Sequence, residues 1–168
     1  MTMTGYQGLT EAQSELVDYW HGLCRRAPAG PPRRQDIDAG ALRNHLAHLS
    51  IVEVTFSGAV RFRLVGSALR EMAGMNLQGR QLDALPTAVA RIWQRGLEDA
   101  LVTQAPAGGF DVPAEGSHCH AWLRMPLEDG ASNGRVLLCH DRLVFGADER
   151  DTSSVPALIL GLNSSIAA

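Results

Sequence analysis

The sequence predicts an α+β fold: a five-stranded antiparallel sheet with short helices and one long helix across one face, and flanking helices at the N- and C-termini. Three observations predict it. Two β-patterned runs, about 49–56 and 60–65, come before a helical stretch, and three come after it, within 105–116, at 118–127 and at 135–145. Residues 87–103 put Val89, Ile92, Trp93, Leu97, Ala100 and Leu101 on one helical face, the pattern of a helix laid across a sheet. Between them, residues 61–85 run from a strand through a short helix to a glycine-marked corner. Strands that flank helices, rather than alternating with them singly, give a layered sheet-and-helix domain.

Each element has a local cause. Thr10 caps the first helix, with Gln13 at the capping-box spacing. Leu16, Trp20 and Leu23 form its apolar stripe, widened by Val17 and Cys24, and Arg25 and Arg26 suit its C-terminal dipole. Pro28 stops it, and the linker 27–32 predicts a flanking helix free to pack away from the body. Asp38 is placed to cap a short helix through Leu42 and Leu46. Ser57-Gly58 turns the first strand into the second, where strict alternation sets Phe62 and Leu64 on one face. Leu69, Met72 and Ala73 recur at helical spacing until Gly74. Glycines and prolines after residue 105 mark an irregular edge strand. The turn-rich 128–134 joins the last two strands, and Val155, Leu158, Ile159 and Leu162 mark a C-terminal helix behind Ser154. The divisions expected are 1–32, flanking helix and linker; 33–147, the main domain; and 148–168, a tail with a short helix.

A chain of 168 residues suits one core. A net charge of −3 argues against nucleic acid as partner, and no apolar run reaches the roughly 20 residues that span a bilayer. The N-terminus has neither the basic start nor the apolar stretch of a secretory signal, and three sparse cysteines read as reduced thiols, so a cytoplasmic protein is expected.

The segments RRQDIDAGALRNHLAHLSIVEV, FRLVGSALREMAGMNLQGRQLDAL and MPLEDG carry a resemblance. Arg34, Asp36, Ile37 and Asp38 fit an Arg-x-Asp-Ile-Asp entry; Phe62, Arg63 and Gly66 a strand end, with Ser67 where threonine is more usual; Gly74, Leu77, Gly79 and Arg80 a corner. In these residues, and in the order of its elements over about 33–146, the chain resembles a bacterial family of small stand-alone PAS (Per-Arnt-Sim) proteins. The resemblance implies a sensory or protein-interaction module with a cleft between sheet and helix, and dimerisation through a flanking helix. Leu16, Trp20 and Leu23 are then the dimer-helix candidates of a homodimer. The cleft candidates are Phe62, Leu64, Trp93, Leu97, His120, Trp122 and Cys139. Trp93 and Trp122, on opposite walls, either touch a ligand or fill the core, and Cys139 either neighbours a cofactor or acts as a small hydrophobe.

His118, Cys119, His120, Cys139 and His140 have the chemistry of metal ligands. A hairpin centred on 131–132 sets Arg124 opposite Cys139, His118 opposite Phe145 and His120 opposite Leu143. Cys139 is then about 13 Å from His120 at roughly 3.3 Å per residue, too far for one ion, and no metal is assigned. The paired arginines Arg25, Arg26, Arg33 and Arg34 read as a helix end plus partners for Asp36 and Asp38, and Arg63 and Arg80 as ties between crossover and sheet. The glycine corner 74–79 lacks the Lys-Ser/Thr ending of a phosphate loop.

The function expected is therefore a non-catalytic sensory or interaction module that binds a small ligand or a partner protein and signals in trans. No cofactor is assigned; a flavin or haem sensor is a third reading. The alternative is a small cone-like α+β enzyme using His120 or His140 with Asp141 as an acid–base pair.

Overall fold

A computed structural model describes residues 9–26, 29–111, 118–129 and 135–145. Five strands, β1 (Leu49–Val54), β2 (Val60–Val65), β3 (Ala107–Asp111), β4 (His118–Leu127) and β5 (Arg135–Phe145), form one sheet in the order β2-β1-β5-β4-β3. Every neighbouring pair is antiparallel. The β4–β5 register is the one read from the sequence: Arg124 pairs with Cys139, His120 with Leu143 and His118 with Phe145. The C-terminal helix expected after Ser154 lies outside the described residues.

Helix α1 (Glu11–Cys24) starts with the capping box. The Thr10 side chain accepts from the Gln13 N–H, and the Gln13 side chain accepts from the Thr10 N–H, each at 3.2 Å. The helix does not pack away from the body. Leu16, Val17, Trp20 and Leu23 are buried, and the first three join a core with Leu49 and Ile51 of β1, Leu123, Met125 and Leu127 of β4, and Val136 and Leu138 of β5. The Trp20 indole N–H donates to the Pro126 carbonyl at 2.8 Å. The stripe assigned to dimerisation is thus consumed within the chain. The sheet face it covers is itself strongly apolar, and closing it internally costs no association entropy.

The opposite face carries α2 (Ser67–Ala73), α3 (Thr87–Gln94) and α4 (Leu97–Thr103). Their core joins Leu69, Leu77, Leu82, Leu85, Ala90, Trp93, Leu97 and Ala100 to Val52, Phe62, Val65, Leu137 and Cys139. The single long helix expected over 87–103 is two. Gly96 has φ +69°, a left-handed conformation that ends α3 and starts α4 at an angle, and a Cβ there would lie 2.2 Å from the Trp122 ring. The short helix expected after Asp38 is replaced by turns and a 3₁₀ turn, Leu46–His48, because Asp38 accepts from the Gly40 N–H in a local turn at 2.8 Å.

A β-bulge corrects the reading of β2. Ile51 faces Leu64 and Val52 faces Phe62, so Arg63 is the extra residue. Phe62 and Val65 consequently point into the core, and Leu64, 44% exposed, lies outside that core. The glycine corner binds β2 through its backbone: Phe62 donates to the Arg80 carbonyl at 3.0 Å, and Gly79 donates to the Phe62 carbonyl at 2.8 Å. The Arg63 side chain pairs with Glu53 on β1, fastening the hairpin. Asp36 accepts from the Arg33 backbone N–H at 3.1 Å, closing the entry turn.

Candidate functional site

The crossover face of β4 and β5 holds a buried charge cluster. Alternation sends Leu123 and Met125 to the α1 side, so Trp122 and Arg124 face the crossover; on β5, Cys139 and Asp141 do the same. Arg124 and Asp141 are both fully buried. One guanidinium nitrogen donates to Asp141 Oδ1 at 2.8 Å, the other to Oδ2 at 3.0 Å. The same guanidinium also donates to the Leu123 carbonyl and, at 2.9 Å, to the Ile92 carbonyl on α3. A planar, always-charged fork is the side chain suited to hold a carboxylate and a carbonyl at once.

The cluster continues to the surface. His120 Nε2 lies 2.8 Å from Asp141 Oδ1, and its Nδ1 lies 4.0 Å from Asp111 on β3. Asp111 accepts from Arg95, the last residue before Gly96, at 2.8 Å. The path from sheet centre to the α3–α4 joint is therefore Asp141, His120, Asp111, Arg95, with Arg124 bracing Asp141 against α3. Burial works to raise the Asp141 carboxyl, but the adjoining Arg124 charge and the His120 hydrogen bond outweigh it and hold the group below its ordinary value. Burial opposes the Arg124 charge, and Asp141 more than restores it. Burial pushes the Cys139 thiol up to about 12, against the pull of Arg124, so it is a neutral thiol and no nucleophile.

Of the cleft candidates, Phe62, Trp93, Leu97 and Cys139 share one core, with the Phe62 and Trp93 rings edge-on at 5.2 Å. Trp122 stands between Gly96 and Gly109, with the Arg124 guanidinium 5.9 Å from its ring centre. His120 reaches the cluster; Leu64 does not. His120 Nε2 is engaged by Asp141 at 2.8 Å. Among the described residues no group of three His, Cys, Asp or Glu side chains is placed to hold a metal. Of the acid–base pair, His120 meets Asp141, whereas His140 lies on the α1 face against Gln13. The sequence reading missed Arg124, Asp111 and Arg95 as site residues. The register itself was a signal for the first, since it puts Asp141 two residues beyond Arg124's partner on the same face.

A family model described as a PAS domain matches residues 9–120, two thirds of the chain. The chain belongs to the PAS domain family. The match begins one residue before the cap of α1, so it includes this helix. It ends within β4, and β5 completes the PAS sheet. No curated protein matches the chain. Among the described residues no helix is long and apolar enough to cross a membrane.

Proposed function

We propose that this PAS domain is a sensory or interaction module of the cytoplasm. It works without catalysis and passes its state to a partner protein in trans. One observation carries the reading: Arg124 binds Asp141 on β5 and the Ile92 carbonyl on α3 with the same guanidinium. A ligand or partner that shifts α3 must alter the charge balance at the sheet centre, and only an occupant that favours one packing over the other shifts the population. Three free cysteines, Cys24, Cys119 and Cys139, support a reducing compartment. A partner or a second copy is expected to use surfaces other than the underside of α1. The test is native mass spectrometry, with a visible spectrum, of the full chain purified without denaturant. The reading expects a retained small molecule or a defined complex. A bare monomer under all conditions overturns it.

The 2.8 Å contact between His120 and Asp141 favours a second reading, a hydrolytic or isomerising enzyme. Against it, Arg124 occupies both Asp141 oxygens. The variant His120→Gln separates the two in an activity screen: the sensory reading expects no turnover to be lost.

A further inference from the structure

Beneath α1, on the face opposite the charge cluster, three histidines meet. The His140 ring centre lies 5.9 Å from that of His48 and 6.3 Å from that of His45. His140 and Gln13 are almost wholly buried, at 1% and 0% exposed. The hydrogen-bond pattern fixes who donates. Gln13 Oε1 accepts from the Thr10 N–H in the capping box, which turns its amide nitrogen toward His140 Nδ1 at 3.4 Å. An amide nitrogen only donates, so His140 Nδ1 is the acceptor, and the neutral ring carries its proton on Nε2. His48 Nδ1 donates to the Asp141 carbonyl at 3.3 Å, and His45 Nε2 faces Glu15 of α1 at 3.2 Å.

We infer that α1 is an acid-released latch: a proton on His140 Nδ1 sets two donors against each other at Gln13, undoes the docking of the first turn of α1, and uncovers Leu16, Val17 and Trp20. The surroundings do not shelter the cation. His45 and His48 from the preceding turn and Arg142 from β5 all oppose a charge there. Asp141 favours it, but its carboxylate is committed on the other face to Arg124 and His120. The Glu15 carboxylate of α1 is placed on His45 Nε2. Burial first, then these neighbours, lower the His140 ring from 6.5 to about 3, and burial also lowers His48. The latch is a property of the α1 face and does not depend on any occupant of the cleft.

The test is amide hydrogen exchange on the full chain, normalised to the intrinsic rate at each pH. With 6.5 for the undocked ring and about 3 for the docked one, the opening equilibrium of residues 11–24 is expected to rise about 30-fold between pH 7.5 and 5.0. Residues 118–127 should keep their protection, and His140→Gln should flatten the α1 response. Should that variant not fold, ¹⁵N spectra of the wild-type imidazoles at pH 7.5 decide the point: the account requires His140 Nδ1 unprotonated. Protection of α1 independent of pH, loss shared equally by α1 and β4, or a proton on Nδ1 overturns it.

Discussion

Arg124 and Asp141 close a two-pronged ion pair at 2.8 and 3.0 Å, and neither side chain has any exposure to solvent. Two charges so deep are held because each satisfies the other and because further bonds reach Ile92, Leu123 and His120, although the Arg124 Nε–H has no partner among the described residues.

Removing one partner should therefore cost far more than removing both. Asp141→Ala leaves a buried guanidinium unpaired, and urea unfolding should show a loss of about 3–5 kcal/mol. A loss below about 1 kcal/mol would mean that the pair is solvated.

The bulge in β2 predicts a contrast between neighbours. Phe62→Ala removes a fully buried ring and should cost about 3–5 kcal/mol, whereas Leu64→Ala, at 44% exposure, should stay within about 0.5 kcal/mol. Equal losses in urea titrations would restore strict alternation.

Gly96→Ala adds a Cβ 2.2 Å from the Trp122 ring at a backbone of φ +69°. It should destabilise the fold by about 1–3 kcal/mol. The double variant with Trp122→Leu should recover part of that loss in the same assay, leaving the backbone strain. No recovery would mean that the ring is not the obstacle.

Cys139, its thiol pushed up to about 12 by burial, should resist a thiol reagent at pH 8 in the native chain and react once urea is added. Mass spectrometry of the labelled peptides reads this directly. Native labelling of Cys139 would contradict its place in the core.

Two acid windows follow from the signs. His140 is lowered in the fold, so its contribution is complete above 6.5 and is lost as the pH falls toward about 3, amounting to about 2 kcal/mol at pH 5. The lowered Asp141 contributes above its ordinary 3.8 and loses this as the pH falls further. Urea midpoints across this range should decline from near pH 6.5 in the wild type, and less steeply in His140→Gln, where the lowered His48 is left to titrate in this window. A flat profile down to pH 4 would contradict the first window, and a flat profile from pH 4 to 2 the second.

Much of the architecture is legible in the residues. The bounds of β2, β4 and β5, and the facing of Arg124 and Cys139, follow from alternation and the position of the turn. What escaped depends on contacts remote in sequence. The stripe Leu16–Trp20–Leu23 looks the same whether it awaits a second copy or its own sheet, and only the apolar underside of β4 and β5 decides. Gly96 reads as one tolerable glycine in a helical pattern until Trp122 is found against it. Arg63 bulges without any glycine to announce it. Arg124 looks like a surface charge because its burial requires Asp141 and Ile92, 17 and 32 residues away, to satisfy it.

The central claim is that the Arg124–Asp141 pair fastens the α3–α4 crossover to the sheet. Amide hydrogen exchange of residues 87–103 in the double variant Arg124→Met, Asp141→Leu tests it most directly, because the exchange of both charges for apolar groups leaves neither a guanidinium nor a carboxylate buried without its counter-charge. The account predicts opening at least about tenfold more frequent in α3 and α4, with β1 and β5 still protected, since only the crossover loses its anchor. Unchanged protection of α3 and α4 in that variant would contradict it.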